Sequence, residues 1–182
     1  MELRTQYTVM GNTRAVADVI WNPNVRSSPQ HAVQAIDMVH DHLLYISMDY
    51  GPLKYKFLQL AAMFELDGRI VITNSTIAFD ERFPMVDGES RVHGYAWTVL
   101  DPLEDGRTLC RKSIWQYTPV NKHGPLTLEE IGILVQDELR SQEPRENIIT
   151  KFQDVIEDGN IMQREVQIRA KFPPRRSIFV IP

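Results

Sequence analysis

Between Ala32 and Tyr117 the sequence breaks into six extended runs with short turn signals between them. The runs are Ala32–Val39, His42–Tyr50, Lys54–Leu66, Arg69–Phe79, Glu89–Leu100 and Arg107–Tyr117. No helix-length amphipathic stretch interrupts them. Parallel neighbours need crossovers of roughly a dozen residues or more, so such a succession dictates an antiparallel meander. His40-Asp41, Gly51-Pro52, Asp67-Gly68, residues 83–88 and residues 101–106 supply the breaks. Asp67-Gly68 is the sharpest of them. A two-residue hairpin turn of the primed type needs φ > 0 at both positions, which Asp and Gly tolerate.

The flanks of the meander differ from it. Leu3, Thr5, Tyr7 and Val9 alternate with polar neighbours, which predicts a strand at the meander's edge. Asn12 is a candidate N-cap for a helix over Thr13 to Trp21, with Val16, Val19 and Ile20 on one face. Asn22-Pro23 ends it, because the residue before proline is pushed out of the α region. After the meander, Thr127-Leu128-Glu129-Glu130 opens a helical region whose apolar positions fall at helical spacing. Pro144 interrupts that region, and Ile148, Ile149, Phe152, Val155 and Ile156 resume it as far as Gly159. A one-sided antiparallel sheet must bury its apolar face, and this C-terminal helical segment is the largest surface available to cover it. A bent sheet wrapped on a helix leaves gaps of the kind that hold apolar ligands. An apolar pocket of roughly a few hundred Å³ is expected there.

The length of 182 residues suits one domain. Hydrophobic residues at 43% and charged residues at 24% place it in the globular class. A net charge of −4 gives no reason to expect a nucleic-acid partner. No stretch of about 20 apolar residues exists to span a bilayer. The first ten residues, with Glu2, Arg4 and Gln6, lack the apolar run of a signal peptide, and a cytoplasmic location is expected. Cys110 is the single cysteine, which rules out an intrachain disulfide and disfavours a cysteine-based metal site.

From Leu44 to Val120 the order of motifs resembles the START lipid-transfer domains. The residues that carry the resemblance are Pro52-Leu53, Asp67-Gly68, Ser75, Phe83-Pro84, Arg91, Trp97, Pro102 and Asp105-Gly106-Arg107-Thr108. Where many members have Arg-Asp before an aromatic after Pro-Leu, this chain has Tyr55-Lys56-Phe57. It also lacks their long N-terminal helix. The resemblance implies an α+β helix-grip fold, a curved antiparallel sheet of about seven strands packed on a C-terminal helix. It implies a START-like domain over residues 1–160, leaving 161–182 as a tail or linker. It further implies an internal cavity for a lipid or other hydrophobic small molecule, in a carrier or sensor rather than an enzyme, with no cofactor. Two alternatives stay open: a cyclase or hydratase of the same architecture, and an interaction module whose cavity is filled by side chains.

Individual residues carry competing readings. Arg91, His93, Tyr95, Trp97 and Val99 alternate on one face of an expected strand. If that face is concave, Arg91 paired with Asp87 or Glu89 holds a head group beside Tyr95 and Trp97. Otherwise it is a cross-strand surface charge. The stripe Leu44, Ile46, Met48 and Tyr50, with Met63, lines a cavity or is plain core. The candidate ligand-binding set is therefore Ile46, Met48, Met63, Arg91, Tyr95 and Trp97. His40, Asp41 and His42 sit at an expected turn without a third ligand at obvious spacing, so no metal site is expected. Asp80-Glu81 and the acidic residues of 101–105 read as solvated turns, Cys110 as a small core residue, and Ser75 lacks a nucleophile elbow. Asn74-Ser75-Thr76 matches a glycosylation sequon. Lys171, Arg175 and Arg176, with Phe172 and Phe179, leave a transient membrane contact open, with an ordinary linker as the other reading.

Overall fold

The computed structural model describes residues 1–22, 32–50, 55–135, 144–157, 168 and 170–172. Seven strands form its main sheet: β1 (Glu2–Val9), β2 (Ala32–His40), β3 (Leu43–Tyr50), β4 (Tyr55–Leu66), β5 (Arg69–Ile77), β7 (Gly94–Pro102) and β8 (Thr108–Gln116). Between β5 and β7 lies the two-residue strand β6 (Ser90–Arg91), and after β8 come β9 (Val120–Asn121) and β10 (Gly124–Pro125). Among the described residues the helical elements are α1 (Thr13–Trp21), α2 (Leu128–Val135) and α3 (Arg145–Glu157), and Ile168, Ala170 and Lys171 are also helical.

Across the main sheet the order is β2-β3-β4-β5-β7-β8-β1, antiparallel at every step. The predicted meander and its edge strand are therefore both present. The sheet is strongly curled into an open half-barrel. Among the described residues the one departure from antiparallel pairing is β6, which runs parallel to the start of β4 (Tyr55↔Ser90, Lys56↔Arg91) and then pairs with β9. This small patch raises the strand count above the seven expected but leaves the helix-grip architecture intact.

Local chemistry accounts for the element ends. The Asn12 side chain accepts a hydrogen bond from the Ala15 backbone N–H at 2.8 Å and caps α1. Asp67 (φ 51°) and Gly68 (φ 76°) form the left-handed pair that closes the β4–β5 hairpin. At α2, the Glu130 backbone N–H donates to Thr127 Oγ1 at 3.2 Å while the Glu130 carboxylate accepts from the Thr127 backbone N–H at 2.7 Å. The bonds its carboxylate accepts from Thr127, the backbone N–H first and then the hydroxyl, hold the Glu130 carboxyl below its ordinary pKa.

The inner face of the curl is set by register. In β8 the buried positions are Thr108, Cys110, Ile114 and Gln116, and their partners in β7 are Pro102, Leu100, Ala96 and Gly94. Onto this face α1 presses Val16, Ala17, Val19 and Ile20, which join Val9, Met63, Ile70, Ile72, Leu100 and Cys110 in the main core. Burying each Val or Ile there contributes about 1.5–3 kcal/mol. The sequence pointed to the C-terminal helix as the cover; among the described residues α1 supplies this part of it. α2 packs on α3, with the Ile148 side chain beside Gly132. Ile168 is buried in the main core, and Phe172 packs against that core over Gly11. Both residues lie in the stretch 161–182 expected as tail or linker, where Ala170 and Lys171 are exposed.

Candidate ligand site on the concave face

A second cluster, Leu44, Ile46 and Ala61, continues the concave wall along β3 and β4, with Trp21 packed against it. Beyond it Met48, Phe57 and Val92 form a third. Between this third cluster and β5, β7 and β8 is a cavity of about 40 Å³. Its lining mixes Met48, Phe57, Val92 and Ile114 with the polar side chains of Gln59, Asn74, Thr76, Lys112 and Gln116. The expected pocket was larger and apolar. Strand alternation explains the difference: β5 presents Ile70, Ile72, Asn74 and Thr76 inward in succession, so its apolar stripe turns polar halfway along. A wider depression of about 340 Å³ lies at the other end of the sheet, where Met63 and Ile70 meet Phe64, Leu66 and Arg14 near the β4–β5 turn.

The six candidate residues part company. Ile46, Met48 and Met63 are buried on the concave side. Trp97 lies on the opposite face from the buried Thr98 and Leu100. Tyr95 borders the 40 Å³ cavity, yet it is 39% exposed and its ring stacks with Trp97 (5.8 Å) and Trp115 (6.2 Å). The single face expected to run from Arg91 to Val99 is therefore corrected, and its Tyr95 and Trp97 part is not the concave one. The strand is broken at Val92-His93, so alternation does not run from Arg91 into Tyr95. The aromatic rings bury one another on the outside, each pair adding about 0.5–1.5 kcal/mol.

Arg91 is buried, 1% exposed, as its pairing requires. Its Nε donates to Glu89 Oε1 at 2.6 Å and its Nη1 to the Ala78 carbonyl at 3.1 Å. The candidate Asp87 instead pairs with Lys122. Val92, not Arg91, faces the cavity. Arg91 thus clamps the loop between β5 and β6, and the head-group role is not supported by its position.

The same loop is pinned by Tyr45, whose hydroxyl donates to Asp80. Burial first, and then this bond, push the Tyr45 hydroxyl above its ordinary pKa, while the bond holds the Asp80 carboxyl below the usual range. A depressed carboxyl stabilises the fold above about pH 4 and loses that contribution as pH falls. A raised phenol stabilises it below about pH 10 and loses that contribution as pH rises. Tyr45→Phe is therefore expected to flatten both flanks of the stability–pH profile. Chemical denaturation across pH checks this, and unchanged flanks would refute the role of the pair.

Other sequence readings also find places. His40 and His42 are exposed with ring centroids 6.0 Å apart, and among the described residues no group of three or more suitable side chains could hold a metal. Cys110 is buried in the core. Asn74, the sequon residue, is 3% exposed and so not presented for glycosylation. Sequence reasoning missed Asn74, Gln59 and Gln116 as cavity residues, although a polar residue in register with Ile70 and Ile72 was a visible signal.

No family model and no curated protein matches the sequence. Solved structures do match. Human STARD10 superposes with a TM-score of 0.62 at 9% identity, over 93% of this chain and 64% of that one. The fold is START-like. The human StarD13 lipid transfer and protein localization domain shares it, with a TM-score of 0.59 at 12% identity over 95% of this chain and 77% of that one. So does the Zhui aromatase/cyclase from Streptomyces sp. R1128, with a TM-score of 0.50 at 10% identity over 93% and 92%. The START-like chain described here thus spans 64% of the length of STARD10. No helix among its described residues is long and apolar enough to cross a membrane.

Proposed function

We propose that the protein binds a lipid or another apolar molecule on the concave side of its sheet, as a cytoplasmic carrier or sensor rather than an enzyme. The observation that carries this reading is the concave wall itself. Ile46, Met48, Phe57 and Val92 present a buried apolar surface next to a cavity within a START-like sheet. Each CH₂ moved from water onto such a surface gains about 0.8 kcal/mol. Ile46, Met48 and Met63 remain the proposed apolar contacts. A cavity of about 40 Å³ seats only a small group, so a whole lipid enters by displacing whatever covers the concave face. Loading and release would accompany transient membrane contact.

The cyclase-like alternative draws on the aromatase/cyclase neighbour and needs a titratable pair at the cavity. Among the described lining residues the titratable ones are Lys112 and Tyr95, and the Tyr95 ring stacks outside. Native mass spectrometry of gently purified protein is expected to show a bound lipid mass, and fluorescent-lipid uptake is expected to fall about tenfold in Met48→Trp with the fold retained. Neither adduct nor uptake in the wild-type protein would favour an interaction module with a filled cavity.

A further inference from the structure

Among the described residues, two polar atoms on the cavity wall have no hydrogen-bond partner, although their side chains are more than nine-tenths buried. They are Asn74 Oδ1 and Gln116 Nε2, from residues 3% and 6% exposed. Buried polar groups are almost always paired, so two orphans on one cavity call for an explanation. Their placement is built by the sheet. Asn74 lies on β5 and Gln116 on β8, and β7 separates them with its two smallest inward residues, Ala96 opposite Asn74 and Gly94 opposite Gln116. No large β7 side chain therefore stands between the two amides.

The other polar groups there are already engaged. Thr76 gives its hydroxyl to the Gly94 carbonyl at 3.0 Å. Gln59 and Lys112 each have a partner of their own. Among the described lining atoms, those left without a partner are one neutral acceptor and one neutral donor. A cavity of about 40 Å³ has room for roughly three water-sized atoms.

We propose that this cavity receives the neutral polar end of an otherwise apolar ligand, a hydroxyl or a primary carboxamide that donates to Asn74 Oδ1 and accepts from Gln116 Nε2. The proposal rests on the lipid-binding reading above and adds the class of head group. Hydroxyl and carboxamide groups carry donor and acceptor together. An ionised carboxylate or phosphate only accepts. It would set oxygen against the Asn74 oxygen and would have to shed its hydration in a buried site.

The test uses the full chain and displacement of Nile red by ligands of one chain length ending in hydroxyl, primary amide, carboxylate or phosphate. The alcohol and the amide are expected to bind about tenfold more tightly than the two anions, the size of one net hydrogen bond. Asn74→Leu and Gln116→Leu are expected to abolish that preference. Each should also raise the melting temperature of the ligand-free protein, because an unmet polar atom is replaced by an apolar one. The wild-type series decides the matter even if a variant does not fold. Equal binding of all four ligands, or tighter binding of the anions, would overturn the head-group assignment and leave lipid binding standing. Displacement by none of them would overturn both.

Discussion

Arg91→Met is expected to destabilise the fold by about 3 kcal/mol, the lower end of what breaking a buried ion pair costs. The lower end applies because Glu89, its partner, keeps 11% of its side-chain surface in contact with water while Arg91 keeps 1%. The substitution leaves the Glu89 carboxylate without its cation and the Ala78 carbonyl without its donor. Replacing both partners, as Glu89→Gln with Arg91→Met, should recover part of the loss, since no uncompensated charge remains. Ligand binding by folded Arg91→Lys is expected to be unchanged, because Arg91 does not line the cavity. Urea unfolding of the three variants measures the stabilities, and a ligand titration of Arg91→Lys measures the binding. Equal stability of Arg91→Met and wild type would mean that water reaches the pair, and weakened binding by folded Arg91→Lys would return Arg91 to the ligand site.

Gly94→Ala should be at least as damaging. A Cβ on Gly94 would stand 2.2 Å from the Trp115 carbonyl oxygen and 3.0 Å from Gln116 Cα. Both are backbone atoms of β8, so no rotamer change relieves the clash and β7 must part from β8 at that rung. The expected loss is about 3 kcal/mol or more, the upper range for overpacking. The same rung carries Thr76 and Gln116, so any ligand binding should suffer beyond the loss of stability. Gly68→Ala is the informative contrast. Gly68 has φ +76° but nothing within 4 Å of an added Cβ, so only left-handed strain applies, about 1 kcal/mol. Thermal melts of the pair should separate steric from conformational need for glycine. A milder Gly94→Ala than Gly68→Ala would show that β8 yields easily there.

Where local chemistry alone decides, the sequence was readable to the residue. The alternation of residues 2–9 and the Asn12 cap define β1 and α1 with the observed limits. Asp67-Gly68 makes its hairpin because no long-range contact competes with the turn's demand for positive φ. Alternation says which residues share a face, but not which face is inside. Tyr95 and Trp97 belong to a ligand site only if their face of the strand is the concave one. In the fold they shelter one another, and the small Ala96 and Thr98 turn inward. The break at Val92-His93 was equally hidden, since it depends on β6 leaving the meander to pair with β4 and β9. The polar half of the concave wall was written in β5 as Asn74 and Thr76, but joining them to Gln116 requires the register across β7.

The stacked aromatic row has an optical consequence. Of the three tryptophans, Trp97 and Trp115 sit with Tyr95 on the outer side of the sheet, so the near-ultraviolet signal of the protein is weighted toward a surface that faces away from the concave wall. Trp21 is placed differently, against Leu44, Ile46 and Ala61. With the outer pair changed to phenylalanine, α1 would carry a lone intrinsic fluorophore at the edge of the concave wall. Its emission would then report events on the inner side of the sheet without any attached dye.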